Sequence, residues 1–466
     1  MKPDPGSFRD RNNRIYTAGD RIIRGLSDVA LQNWNQVVEE DFYKSLVNQG
    51  KVIHSNVVHQ TDFELTSEEH SWSGYLEHER VPFISYPYEW TFGMLKEAAL
   101  LHLDILQKSL DSGWILKDAT AYNIQWMGSR PTFIDTTSFE PYVEDSPWLG
   151  YRQFCMMFVY PLMLASYRKI DYLPLLRSNL EGIEPVEVAK YFSKRDLLRK
   201  GVFTHVYLHS RLQQTYSSQN SKNEKAVMKR VRHTKGTLLE IIKGLQRVIS
   251  SLDLKETRST WSHYQDQHSY DESSFEQKKE FVTRHVQASK WGQIWDIGCN
   301  TGTFSKLCSS YSNTVLALDA DRFAIERFYQ ELKGSNDFKN ILPLVMDLSN
   351  VSPNQGWRGA ERGALETRGQ PDLVIALALI HHIVISANVP LREFVCWLRS
   401  LNATVILEFV EREDEMTQQL LKNKVDQYSD YTKAGFETTV REYFTIHDSI
   451  QLKEGARSVY CLKPNN

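Results

Sequence analysis

IWDIGCNTGTFSKL, residues 294–307, is an apolar run that closes on an acid, Asp296, and then turns through Gly298 and Gly302 into a helix-compatible segment. That order reads as a strand, a tight turn and a helix N-terminus. Glycine lets a ligand lie against the backbone, and the first turn of a helix offers unpaired N–H groups. A pyrophosphate-binding turn needs the spacing G-x-G-x-x-G. Here the spacing is D-x-G-x-N-x-G, with Asn300 where a glycine often stands. Asparagine tolerates left-handed backbone better than most residues, so the turn suits a nucleoside that carries no pyrophosphate.

Working outward, the segments after this turn repeat one theme. TVLALDAD (314–321) is a second apolar run, ending at Asp319, 21 residues beyond Gly298. ILPLVMDLS (341–349) is a third, ending at Asp347, and PDLVIALALIHH (371–382) is a fourth, longer and wholly apolar. NATVILEFV (402–410) is a fifth, interrupted by Glu408, and RSVYCLKP (457–464) gives a final strand. Short apolar runs alternating with helical segments predict parallel strands buried on both faces, an α/β architecture.

Residues 296–302 resemble motif I of the class I methyltransferases, which bind S-adenosylmethionine (SAM) on a Rossmann-like sheet. The resemblance implies a seven-stranded methyltransferase domain over 255–466 with SAM as cofactor. It implies that Asp319 accepts hydrogen bonds from the ribose hydroxyls. Asp347 would accept from the adenine amino group, with the Leu348 backbone beside it. Asp296, Gly298, Asn300 and Gly302 would shape the methionine end. Methyl transfer from a sulfonium is an in-line displacement that needs alignment and, where required, removal of a proton, and no metal. His381 and His382 fall at the end of the fourth apolar run, and imidazole titrates near neutrality. If the chain is extended there, the two side chains point apart and at most one, His382 by preference, faces the methyl. Glu408 could orient that histidine or bind a substrate cation. The competing reading is that both histidines cap or pack the strand–helix turn. Tyr264 and Tyr270, ahead of motif I, could cover a cationic cofactor, or simply pack.

The N-terminal half carries a different pattern. TFGMLKEAALLHLDILQKSLDSG (91–113) has helical spacing and ends at Gly113; WILKDATAYNIQW (114–126) and RPTFIDTTSFE (130–140) follow. Asp118, Asn123 and Asp135 resemble the catalytic loop and metal-binding segment of protein kinases and aminoglycoside phosphotransferases, in which D-x-x-x-x-N supplies a base and a Mg²⁺ ligand. The match is partial. Leu116 stands where those families have histidine, DFG becomes Asp135-Thr136-Thr137, and residues 1–74 carry no glycine-rich phosphate loop or V-A-I-K strand. The expectation is an α+β domain resembling a degenerate kinase C-lobe over 1–215, used as a scaffold or substrate-binding module, with a polar linker and helix over 216–254. The segments at 84–100, 116–124, 376–386 and 407–416 are also similar to a group of bacterial proteins that includes host-specific nodulation methyltransferase-like proteins.

Composition bounds the remainder. The chain has 466 residues, 41% hydrophobic content and a net charge of −3, enough for two cores and with nothing that announces nucleic acid or a membrane surface. Five scattered cysteines form no CxxC pair, so neither a zinc knuckle nor a disulfide framework is expected. FCMMFVYPLMLASY (154–167) is too short to span a bilayer and reads as a buried helix. A cytoplasmic location follows. The basic run Lys222–Lys235 reads as a solvated linker or a docking site for an anion. The Gly- and Arg-rich loop 352–370 reads as an active-site rim or a surface insertion. Three functions stand open: a SAM-dependent methyltransferase acting on a small molecule, glycan or lipid-linked acceptor; a phosphotransfer or bifunctional enzyme using Asp118, Asn123 and Asp135; or a non-catalytic SAM-binding regulator.

Overall fold

The computed structural model describes residues 1–63, 72–211, 234–254, 272–422, 424–425, 427–453 and 455–465. Tyr264, Tyr270 and most of the basic run at 222–235 lie outside these residues. The chain forms two compact units. Unit 1 comprises residues 1–126, 131–256 and 356–362, and unit 2 comprises 127–130, 257–355 and 363–466.

Unit 1 begins with an antiparallel sheet of strands β1 (Lys2–Pro3), β2 (Asn13–Ala18), β3 (Arg21–Leu26), β4 (Ser55–Val58) and β5 (Gly74–His78), in the order β1-β2-β3-β5-β4. The helix Phe92–Asp111 follows, opened by Thr91, whose hydroxyl accepts from the Met94 N–H, and buried along most of its length. Next come β6 (Trp114–Leu116), β7 (Ile124–Met127), β8 (Arg130–Phe133) and β9 (Phe139–Pro141); β6 pairs with β9 and β7 with β8. The 154–167 run is helical and buried, with a π-helical turn at Cys155–Val159. The helix Lys235–Ser250, read from sequence as an adjunct of a linker, turns Leu238, Ile242, Leu245 and Ile249 inward and is part of unit 1.

Unit 2 is built on a seven-stranded sheet. Its strands are β10 (Trp291–Ile297), β11 (Ser312–Asp319), β12 (Ile341–Val345), β13 (Leu373–Ala376), β14 (Thr404–Val410), β15 (Phe444–Gln451) and β16 (Arg457–Pro464). Their order is β12-β11-β10-β13-β14-β16-β15. The first five are parallel, and β16 runs antiparallel between β14 and β15. Numbered within the unit, the order is 3-2-1-4-5-7-6. The apolar runs predict the first five strands because both faces of these strands are buried. β15, which the apolar-run reading passed over, alternates buried or half-buried and exposed residues, as an edge strand with one solvated face does.

The fourth run departs from expectation. The strand ends at Ala376, and Ala378 adopts a left-handed backbone (φ +49°). Leu379 O then accepts from His382 N at 2.9 Å, which starts a helical turn that continues through Ser386. His381 and His382 therefore lie on a helix start, not in an extended strand, and the alternation argument for choosing between them does not apply. Among the described residues, no helix is long and apolar enough to cross a membrane.

Candidate active site

The glycine turn sits at the carboxyl edge of β10, against the ends of β11 and β13. Gly298 N and Cys299 N both donate to Leu318 O (2.8 and 3.1 Å), and Asn300 N donates to the Asp319 carboxylate at 2.8 Å. Gly298, Asn300 and Gly302 all have positive φ (77°, 51° and 76°). Asn300 thus takes the left-handed backbone that its residue type tolerates. A Cβ on Gly302 would lie 2.0 Å from the Phe328 ring, so close packing as well as backbone conformation demands glycine there. Leu379, just past β13, packs over Gly298.

Asp319 is half-buried, and its two oxygens receive Asn300 N and Asp321 N (2.8 Å each). Burial raises its pKa against those two hydrogen bonds. The turn that would hold the methionine end therefore also orients the acid that would hold the ribose. Met346 N donates to Asp319 O at 2.8 Å, which sets Asp347 and Leu348 beside the same edge. Asp347 is exposed and caps its own turn, accepting from Ser349 N at 2.9 Å and Ser349 Oγ at 2.7 Å.

Asp296 is fully buried and accepts from Ser305 Oγ at 2.5 Å. Burial, with Asp319 adding to it and Ser305 opposing, pushes its pKa up to about 7. Below the ordinary carboxylate value this group is neutral whether the chain is folded or unfolded. As pH rises from there through about 7, the unfolded chain ionises first and the fold loses on the order of 4 kcal/mol. Asp296→Asn is expected to remove that loss. Urea midpoints at pH 5 and pH 8 should then differ less than in the wild type, and an unchanged difference would refute the assignment.

Glu408 is fully buried, but its partners are cations of this chain. Its Oε2 accepts from Lys278 Nζ at 2.7 Å and from Ala378 N at 2.9 Å, and its Oε1 lies 3.7 Å from Arg457 Nη1. Arg457 Nε donates to Asp414 Oδ2 at 2.6 Å. Glu408 thus belongs to a buried network of two cations and two carboxylates, formed by Lys278, Arg457, Glu408 and Asp414. Lys278 lies on the helix Glu272–Val286, on the same face as buried Ser274, Phe281 and Val282. A lone lysine in that apolar register was the available signal. The His381 and His382 rings are 4.2 Å apart; His381 is buried and His382 half-buried. Burial depresses both, His382 to about 4, and for His381 the charges of His382, Arg457 and Lys278 add to the effect. Both are neutral at physiological pH.

In unit 1 the loop between β6 and β7 carries Asp118 and Asn123, and Asp135 follows β8. Asn123 Nδ2 lies 3.3 Å from Asp135 Oδ2, and Thr137 Oγ1 donates to Asp135 Oδ1 at 2.8 Å. Sequence reading missed Arg24, on β3, whose Nη1 reaches Asp135 Oδ1 at 3.1 Å and whose Nε donates to His78 Nε2 at 3.0 Å. The pairing spans 111 positions, so no local pattern announces it. Burial and the neighbouring Asp135 raise the Asp118 pKa. Within the loop 352–370, read as an active-site rim or a surface insertion, residues 356–362 belong to unit 1: Arg9 holds Glu361 with two bonds (3.0 and 2.7 Å), and the Arg362 guanidinium lies 4.0 Å from the Tyr122 ring centre.

The 3-2-1-4-5-7-6 sheet with a glycine turn after its first strand defines unit 2 as a class I methyltransferase fold. The whole chain is 33% identical over 460 residues to nodulation protein NoeA of Rhizobium meliloti (strain 1021), covering 98% of this chain and 95% of NoeA. The chain belongs to the NoeA family. No protein-family model matches it. Solved structures similar to it include the PH0226 protein of Pyrococcus horikoshii OT3 (17% identity, 44% of this chain and 99% of that one, TM-score 0.32). Another is the N-methyltransferase NodS of Bradyrhizobium japonicum WM9 with S-adenosyl-L-homocysteine (12%, 46% and 96%, TM-score 0.31). A third is magnesium protoporphyrin IX methyltransferase of Synechocystis PCC 6803 with bound SAM (15%, 44% and 92%, TM-score 0.30).

Proposed function

We propose that this protein is a SAM-dependent methyltransferase that acts on a small-molecule, glycan or lipid-linked acceptor. The observation that carries the reading is the lock between the glycine turn and Asp319 through Asn300 N. It presets a backbone cradle and a ribose-binding carboxylate on adjacent strand ends. Asp319 would accept from the ribose hydroxyls, Asp347 and the Leu348 backbone would receive the adenine edge, and Asp296, Gly298, Asn300 and Gly302 would shape the methionine end. When bound, SAM supplies a methyl carbon activated by a sulfonium. The chain contributes alignment at the ends of β13 and β14 and neutral imidazoles beside them.

Asp319→Ala removes an acceptor that serves two hydroxyls. Hydrogen bonds to a charged group are worth about 1.5–3 kcal/mol each, so SAM affinity is expected to fall at least about tenfold by calorimetry. Retained affinity would refute the ribose role. SAM and S-adenosylhomocysteine should each raise the melting temperature by mass action.

For unit 1 we favour a kinase-like scaffold over a phosphotransferase. The β6–β9 and β7–β8 pairings around Asp118, Asn123 and Asp135 support the kinase-like reading. Arg24 pairs with the Asp135 carboxylate at 3.1 Å and Asn123 hydrogen-bonds it, so a cation of this chain already sits where phosphoryl transfer would want a metal. The five cysteines are all free thiols, which fits a reducing compartment such as the cytoplasm.

A further inference from the structure

We infer that the exposed face of residues 190–211, in unit 1, docks on the surface of an anionic phospholipid bilayer; this goes beyond the methyltransferase reading and does not depend on it. The whole chain carries a net charge of −3, yet this stretch holds Lys190, Lys194, Arg195, Arg199, Lys200 and Arg211 against one acid, Asp196. Asp196 is buried and turned inward. Its carboxylate accepts from Ser193 N at 2.8 Å, Arg199 Nε at 2.9 Å and Arg168 Nη1 at 3.2 Å. The Lys194 and Arg195 side chains are exposed and have no partner among the described residues. Lys200 Nζ donates to a neutral carbonyl, Arg247 O, at 2.7 Å.

Among these cations stands an apolar face. The turn Lys194–Leu198 packs on the helical segment that begins at Val202. That segment buries Val202, His205 and Val206, which leaves Phe203, Tyr207 and Leu208 on its outer side. Phe203 is 52% exposed, Leu208 43% and Leu198, at the end of the preceding turn, 94%. The Phe203 and Tyr207 rings stack at 23° with centres 6.0 Å apart, and the Arg211 guanidinium lies 5.1 Å from the Tyr207 ring centre. Exposed apolar side chains rimmed by charge mark an interaction surface, and the mixture selects the partner. A nucleic-acid backbone would satisfy the cations and leave the leucines in water. The boundary between headgroups and acyl chains satisfies both, with phosphates for the cations and hydrocarbon beneath them for Leu198, Phe203 and Leu208. The contact is peripheral, since no described helix is long and apolar enough to cross a bilayer. Each basic side chain near such a surface is worth about fivefold in binding, and a buried leucine about tenfold.

The test sediments the full chain with vesicles, one set of phosphatidylcholine alone and one of equal parts phosphatidylcholine and phosphatidylglycerol. Binding to the mixed vesicles is expected, with little to the neutral ones, and it should weaken as salt rises. Lys194→Gln with Arg195→Gln should lower the partition coefficient about twentyfold, and Leu198→Gln with Phe203→Gln at least about tenfold. All four side chains are exposed, so urea midpoints should match the wild type. Val57→Gln, at an exposed apolar residue of β4, should bind as the wild type does. No binding to mixed vesicles, equal binding to both kinds, binding that survives the paired substitutions, or an equal loss with Val57→Gln overturns the proposal. Tighter binding to polyglutamate than to mixed vesicles would make an acidic polypeptide the partner, and a dimer in sedimentation velocity that Phe203→Gln dissolves would make the face a contact between copies of this chain. Either result also overturns it.

Discussion

Gly302→Ala is expected to destabilise unit 2 by about 2–5 kcal/mol and to abolish measurable SAM binding. Two costs add. A left-handed backbone, at φ +76° here, costs a residue with a Cβ roughly 1–2 kcal/mol, and forcing a methyl into packed space costs about 1–3 kcal/mol. The obstacle is the Phe328 ring, 2.0 Å from the new carbon, and Phe328 is fully buried on the helix Arg322–Gly334. The ring cannot yield without moving that helix. Gly334, at the end of the same helix, meets nothing within 4 Å, so Gly334→Ala should change stability by less than about 1 kcal/mol. Urea denaturation of the two variants gives the comparison. Equal midpoints would mean that the turn does not pack as described.

The second large effect is in the buried ion network. Glu408→Ala leaves Lys278 and Arg457, each 3% exposed at the side chain, without their shared carboxylate. Removing one partner of a buried pair costs about 3–5 kcal/mol, because the other charge stays buried and uncompensated. Replacing Lys278 and Glu408 together by methionine and leucine should recover most of that loss, since apolar groups of similar volume often substitute for a buried pair at little cost. A double-mutant cycle by denaturant unfolding measures the coupling. A single-variant loss below about 1 kcal/mol would mean that water reaches the network.

These two sites differ in how far the sequence reveals them. Gly302 stands in a local motif whose reason, a tight turn before a helix, is contained in a few neighbouring residues. The strands β10, β11 and β12 are legible for a related reason: a strand buried on both faces is apolar throughout, whatever it pairs with. The same property misleads at 371–382, where apolarity continues past Ala376 and the bend depends on a left-handed alanine that composition does not mark. Lys278, 130 positions from Glu408, and Arg24, 111 from Asp135, owe their roles to long-range pairing. Their charge signals a solvated surface until the fold brings the partners together. Sequence reading therefore finds the glycine turn and the acids at the strand ends, and misses the ions around Glu408 and in unit 1.

Unit 1 is assembled from three stretches of chain, the last of which, 356–362, comes from the insertion between β12 and β13. A gene truncated after codon 256 would encode a protein whose Arg9 has lost Glu361 and whose Tyr122 has lost the cation over its ring. The complementary fragment would carry those residues with nothing to receive them. A single crossover between the two halves therefore breaks both contacts of unit 1.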